Sequence, residues 1–192
     1  MKNVIILGAG GNIAKHAIDI LVKKNNINLT LSLRNKNRLS SKDVSKCRVI
    51  EGDVLNIDQL REAIKGQDIV YANLAGDLEA MTKNIVKAMN ETGVKRIIAI
   101  SSIGIYDTPL RPVLKPYRKL ADVVESSDLD YTILRPTWFT NDDEVDYEIT
   151  RKGAPEKGSV ISQKSLATFI SSIIESPEKY IRESLGINKP NS

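Results

Sequence analysis

A short apolar run, Val4–Leu7, leads straight into Gly8-Ala9-Gly10-Gly11-Asn12-Ile13-Ala14, and an amphipathic stretch carrying Ile18, Leu21 and Val22 follows. Glycines at such a strand-to-helix turn let the backbone approach a pyrophosphate, and the helix that follows presents free N–H groups and the positive end of its dipole. The turn therefore predicts a dinucleotide site at Gly8, Gly10, Gly11, Asn12 and Ile13, with the small Ala14 letting the helix lie close to the strands. The spacing is Gly8-x-x-Gly11-x-x-Ala14 with Gly10 extra, and position 13 is Ile, so it is not the G-x-G-x-x-G of two-domain dehydrogenases. An ordinary glycine-rich turn is the alternative; its place in the first strand–helix–strand unit of the chain argues against it. His16, one turn into the helix, reads as a surface residue rather than a base.

The end of the second apolar run bears on which dinucleotide is held. An acidic residue there would accept hydrogen bonds from a ribose 2′-OH, but the chain has Ser32-Leu33-Arg34-Asn35, with Arg38 four residues after Arg34. A guanidinium suits a 2′-phosphate as a permanently charged, bidentate partner. NADP is expected over NAD, with Arg34 and Asn35 as contacts; the alternative is a solvated basic loop of Arg34, Lys36, Arg38 and Lys42, which for the two lysines stands equally open. Asp53 and Val54, after the third run, have the types to accept from an adenine amino group and to pack on its ring. Asn73-Leu74-Ala75-Gly76 ends the fourth run with small residues, either to let the cofactor close to the backbone or as a plain turn.

These residues need a scaffold that brings strand ends together. Apolar runs of the kind buried on both faces recur at Val4–Leu7, Leu29–Leu33, Val49–Ile50, Ile69–Asn73, Ile97–Ile100 and Tyr131–Leu134. Helical spacing fills the gaps at Ile13–Lys23, Ile57–Lys65, Leu78–Glu91 and about Pro116–Glu125. The alternation predicts an α/β fold: a doubly wound, mainly parallel sheet of Rossmann type. After Pro136 it fails. Thr140–Glu148 is polar and acidic, Gly153-Ala154-Pro155 and Gly158 mark turns, and one more helix is expected from about Gln163 to Glu175. Residues 1–192 are read as one domain, with 136–192 as a small C-terminal part on the substrate side. The acidic run Asp142, Asp143, Glu144, Asp146 and Glu148 lacks the loop spacing of a metal site and is expected to be solvated.

Composition narrows the classes. Among 192 residues, 28 basic side chains against 24 acidic ones leave a net charge of +4, and no helix carries a basic stripe, so nucleic acid is not an expected partner. The single cysteine, Cys47, permits no internal disulfide and no cysteine zinc cluster; it reads as a small filler. The apolar run at the N-terminus is too short for a signal or membrane segment, so a cytoplasmic protein is expected.

In their order along the chain, Gly8-x-x-Gly11-x-x-Ala14, Arg34-Asn35, Gly52-Asp53-Val54, Ile100-Ser101-Ser102 and the run Ser127-Asp128-Leu129-Asp130-Tyr131-Thr132-Ile133-Leu134-Arg135-Pro136 resemble the atypical short-chain dehydrogenase/reductase superfamily. The likeness is greatest to its NmrA-like, NAD(P)H-binding and flavin reductase-like branch, and the last run is the most distinctive element. The resemblance covers most of the chain and places Ser101 at the cofactor. In catalytic members of the superfamily a serine or threonine, a tyrosine, and a lysine four residues after it form a proton relay, the lysine lowering the pKa of the phenol. The resemblance puts Ser102 and Lys119 in two of these roles, but the tyrosine position falls on Lys115. Tyr117 lies two residues before Lys119, about 200° away around a helix, and Tyr106 is the other phenol in range. Arg135 reads as bonding backbone carbonyls or as functional. Trp138 and Phe139 read as walls of an aromatic pocket or as packing under the tail.

The resulting expectation is an NADPH-dependent oxidoreductase acting on a flavin, quinone or similar small electrophile. A different class, an NADP(H)-binding redox sensor that regulates a partner protein, fits the missing tyrosine, and a third, an epimerase or dehydratase, needs an acid/base pair not evident in the sequence. Oligomeric state is open, a homodimer included.

Overall fold

The computed structural model describes residues 1–39 and 44–192; Lys42 of the basic loop lies outside the described residues. Side-chain alternation along the first strand sets the layers. In β1 (Lys2–Leu7), Val4 and Ile6 pack into one core while Ile5 and Leu7 pack into another on the opposite face, all four without solvent contact. A strand buried on both faces needs a helix layer on each. One layer holds α1 (Asn12–Leu21) and α5 (Gln163–Glu175), with Ile18, Leu21, Phe169 and Ile170 against the sheet. The other holds α2 (Ile57–Ile64), α3 (Leu78–Thr92) and α4 (Lys115–Glu125), with Leu60, Ile85, Met89 and Leu120 facing inward.

The remaining strands are β2 (Ile27–Leu33), β3 (Arg48–Glu51), β4 (Ile69–Ala72), β5 (Arg96–Ile100), β6 (Asp130–Pro136), β7 (Trp138–Thr140), β8 (Glu148–Arg151), β9 (Val160–Ser162) and β10 (Glu183–Asn188). Among the described residues the main sheet has the order β3-β2-β1-β4-β5-β6-β10-β8, parallel except for β8, which runs antiparallel to β10; β7 and β9 form a separate parallel pair. The expected doubly wound sheet is present. The chain winds from β1 outward through β2 and β3, then returns to build β4, β5 and β6 on the other side, so the order reverses between β1 and β4. A crevice opens there at the carboxyl ends of the strands.

The tail differs from its sequence reading. Besides the expected helix α5 it contributes β10 and β8 to the main sheet, with Leu185 paired to Leu134 and Ile187 to Pro136. The apolar content of β10 is only Leu185-Gly186-Ile187, too short a run to stand out. Within the acidic run Asp142, Asp143 and Asp146 are exposed as expected, while Glu144 and Glu148 are half-buried, Glu144 pairing with Lys189 at 2.9 Å and Glu148 accepting from Asn188 at 3.0 Å. These partners are distant in sequence, so composition alone gave no hint of them. Among the described residues no cluster of His, Cys, Asp and Glu could hold a metal ion.

Candidate functional site

The turn between β1 and α1 is shaped by what it leaves out. Gly8 has φ +81°, and a Cβ there would stand 2.1 Å from the Asn73 carbonyl oxygen. A Cβ on Gly11 would stand 2.7 Å from the Asn73 side-chain nitrogen. The end of β4 thus presses directly on the turn, and only glycine fits at position 8. The N–H groups of Gly8 and Ala9 both donate to the Ser32 carbonyl, at 2.9 and 3.2 Å, which holds the turn against β2. Helices α2, α3 and α5 have side-chain caps, from Asn56, Asp77 and Ser162. Helix α1 is preceded by Gly11 at its cap position, which has no side chain to accept the first N–H groups. An uncapped helix start facing an open crevice is suited to an anion.

That crevice is a cleft of about 410 Å³, bordered by Gly8, Gly10, Gly11 and Arg34. Asn35, Asp53 and Val54 line it too, as do Asn73, Leu74 and Ala75. Asn35 also accepts from the Asn37 N–H at 2.9 Å and so caps a short turn, Lys36–Arg38, that brings Arg38 back over Gly10. Two guanidinium groups therefore border the cleft, and neither forms an ion pair among the described residues. Asp53 uses one oxygen to accept from the Leu55 N–H at 2.9 Å, and Asn84 donates to the Val54 and Leu55 carbonyls at 3.1 and 3.0 Å. This turn holds Val54 nearly buried at the cleft wall. Asn84 and Gln59, whose side chain accepts from the Asp53 N–H at 3.3 Å, were not singled out in the sequence, since both look like ordinary helix-surface residues. The glycines and the uncapped helix fit the pyrophosphate of an adenine dinucleotide, and the two arginines fit a phosphate on its adenosine ribose. Asn12 and Gly76 do not line the cleft.

Asn73 and Leu74 also border a second pocket of about 320 Å³ at the ends of β5 and β6, where Ile13, Ser101, Ser102 and Tyr117 lie. The Ser101 hydroxyl donates to the Tyr117 carbonyl at 3.1 Å and fastens α4 to the end of β5. Val113, Trp138 and Phe139 complete the wall, and they are 70%, 74% and 45% exposed although apolar. The two aromatic residues thus wall a pocket rather than pack under the tail.

Lys119 does not join this group. The helical offset sends it to the outer face of α4, where it forms an ion pair with Glu79 of α3. Hydrogen bonds from Lys119 and Lys83 hold the Glu79 carboxyl down at about 2. Tyr106 is also turned elsewhere: its hydroxyl donates to Glu125 at 2.6 Å and lies 3.1 Å from the Ser184 hydroxyl. Burial, reinforced by the bond to Glu125, pushes the phenol well above its ordinary range, so it stays protonated. Of the four expected catalytic residues, Ser102 and Tyr117 border the pocket, while Lys119 and Tyr106 are committed to carboxylates outside it.

Arg135 takes the structural role. Its side chain is 2% exposed; Nη1 pairs with Glu156, and Nη2 approaches the Thr150 and Ser184 carbonyls at 3.4 and 3.5 Å. Glu156 also accepts from the Gly104 N–H at 2.8 Å, so one tail carboxylate ties the loop after β5 to the arginine on β6. Nothing in the sequence around Glu156 marks it, since it sits in a turn between Gly153 and Gly158.

A parallel sheet with this order reversal, a glycine turn against an uncapped helix and paired arginines at the second strand define a dinucleotide-binding protein of the short-chain dehydrogenase/reductase type. Residues 8–177 match the model of the NAD(P)H-binding family, and the chain belongs to that family. A Rossmann-fold NAD(P)-binding family protein from Shigella flexneri is 47% identical, with a TM-score of 0.92 over 100% of this chain and 95% of that one. A short-chain dehydrogenase/reductase from Veillonella parvula, solved in complex with NADP, is 28% identical, with a TM-score of 0.90 over 99% and 95%. Cinnamoyl-CoA reductase 1 of Petunia hybrida is 31% identical over 173 residues, 81% of this chain and 50% of that protein. The chain spans about half the length of the curated relatives it matches. Among the described residues no helix is long and apolar enough to cross a membrane.

Proposed function

We propose that this chain is an NADPH-dependent reductase whose acceptor is a flavin, quinone or similar small electrophile. The observation that carries the reading is the aromatic-walled pocket of about 320 Å³ that shares Asn73 and Leu74 with the dinucleotide cleft. A ligand there lies at the carboxyl ends of β4–β6, beside the end of a dinucleotide whose phosphates sit on α1. When bound, NADPH would supply a hydride. Gly8, Gly10 and Gly11 give it room, Arg34 and Arg38 hold a 2′-phosphate, and Ser102 and Tyr117 offer hydroxyls to the acceptor. Trp138, Phe139 and Val113 stack on a planar acceptor and exclude water from it. Residues 1–192 act as one domain, whose C-terminal part, 136–192, borders the acceptor through Pro136, Thr137, Trp138 and Phe139.

The likeness to cinnamoyl-CoA reductase 1 and to the isoflavone reductase homolog A622 of Nicotiana tabacum, 26% identical over 155 residues, supports a reductase. The NADP held by the Veillonella relative supports the cofactor choice. The test is NADPH oxidation by the purified protein against a panel of flavins and quinones, with Ser102→Ala and Tyr117→Phe alongside. Turnover well above the uncatalysed rate is expected. A loss of about 10²-fold or more in Tyr117→Phe would assign Tyr117 as proton donor, and an unchanged rate in both variants would mean that the pocket aligns the rings without a relay.

The position of Lys119 favours one second reading. With the ammonium on Glu79, no lysine among the described residues lines the pocket to lower the pKa of a phenol, as suits an NADP(H) sensor. A sensor would bind NADP⁺ and NADPH with different affinity and consume neither.

A further inference from the structure

Next to the acceptor pocket lies a larger cavity of about 750 Å³, between the loop after β5 and the tail loop 153–159. The two spaces adjoin at Ile103, Arg111, Thr137 and Trp138, which line both. The smaller pocket is walled mainly by apolar and aromatic side chains. The larger one contains Asp107, Arg111, Arg135 and Glu156.

These charges are not equivalent. Arg135 and Glu156 are paired with each other, and Glu156 is further held by the Gly104 N–H. Arg111 is exposed and forms no ion pair among the described residues, although it borders both spaces. Its Nη2 stands 3.2 Å from where a Cβ on Gly104 would sit, and Asp107 Oδ2 stands 3.0 Å from the same point. Gly104, with φ +79°, thus leaves room for both side chains over one spot of backbone. The cation and the carboxylate are neighbours short of contact, so a ligand anion that reaches Arg111 gains a charged hydrogen bond while Asp107 opposes it.

Resting on the reductase reading above, we propose that the larger cavity is a tail subsite of the acceptor pocket, and that the acceptor is a planar conjugated ring bearing an anionic arm, carboxylate or phosphate, bound by Arg111. The ring lies between Trp138, Phe139 and Val113, and the arm passes Ile103 and Thr137 to the guanidinium. Asp107 sets the selectivity by weakening an arm that reaches it too closely.

Binding tests this separately from turnover. With the protein saturated in NADP⁺, riboflavin and FMN are titrated by quenching of flavin fluorescence; the two share a ring and differ in the phosphate. A naphthoquinone with a carboxyalkyl arm is compared with its methyl ester by competition, so that the phosphate and carboxylate arms are read apart. For at least one pair the anionic ligand is expected to bind about tenfold tighter. That ratio should fall to about one in Arg111→Gln, persist in part in Arg111→Lys, and rise in Asp107→Asn. NADP⁺ affinity of each variant reports that it is folded. Equal affinities within both pairs, a preference that survives Arg111→Gln, or no binding of any of the four ligands would overturn the proposal. A preference with the expected variant pattern but no NADPH oxidation by any acceptor would sustain the subsite and defeat the reductase reading.

Discussion

Arg34 and Arg38 reach the cleft from opposite ends of one short turn, and neither is paired with a carboxylate among the described residues. A charged hydrogen bond of this kind contributes about 1.5–3 kcal/mol, so Arg34→Ala is expected to weaken NADPH by about ten- to a hundredfold and NADH much less. Isothermal titration with both nucleotides checks it, and equal losses would remove the 2′-phosphate from the account. Lys119 gives the converse case. Because it sits on Glu79 at the surface, Lys119→Ala should leave the rate of NADPH oxidation and its pH profile unchanged, whereas a relay lysine would alter both. The place of Arg34 at the cleft was legible in the sequence because it follows from one position after a strand. Lys119 was misplaced because a family spacing was carried onto a helix whose tyrosine lies at a different offset, and helix geometry decides which face each side chain takes.

The β1–α1 turn is the element on which the cofactor site depends. Gly8→Ala would put a methyl group against the Asn73 carbonyl in a left-handed backbone conformation, a strain of about 1–3 kcal/mol before any clash is relieved. The expected outcome is a lower melting temperature together with loss of nucleotide binding; Gly153→Ala, also at positive φ but with nothing within 4 Å, should show only the thermal effect. This element was readable from glycine spacing because local backbone needs are written in local sequence. Strand β10 was not. Its three central residues identify it only by pairing with β6, and pairing is a long-range fact. The same holds for the Glu144–Lys189 pair, whose members lie 45 residues apart.

Across the whole molecule, the tail is held by the pairing of β10 with β6 and by α5 in the core, and polar pairs add to this; among the described residues Arg135–Glu156 is the most buried of the ion pairs. Removing one partner of a buried pair leaves an uncompensated charge and costs about 3–5 kcal/mol; Glu156 is 20% exposed, which puts Glu156→Ala at the lower end. A loss of about 3 kcal/mol would lower Tm by about 6–12 °C in a chain of this size, and should also loosen the 153–159 loop that borders the larger cavity. Calorimetry on Glu156→Ala and Glu156→Gln measures the first effect, and acceptor affinity the second. The six parallel strands up to β6 and the helices between them follow from the alternation of apolar runs with helical spacing; the places of β10 and β8 at the edge of the sheet do not. The acceptor side does not, because its walls come from loops and from a tail whose side-chain directions depend on contacts that close only in the folded chain.

The proposed reductase activity requires that the pocket at Trp138 receive an acceptor that takes a hydride from NADPH held on α1. The most direct test is a single turnover: protein loaded with one equivalent of NADPH is mixed rapidly with excess neutral naphthoquinone, and the loss of nicotinamide absorbance is followed for the wild type and for Trp138→Ala. A first-order loss is expected in the wild type, far faster than for free NADPH, with a rate lowered about tenfold or more when the aromatic wall is removed. NADPH that stays bound and unreacted, with this quinone and with flavins alike, would contradict it.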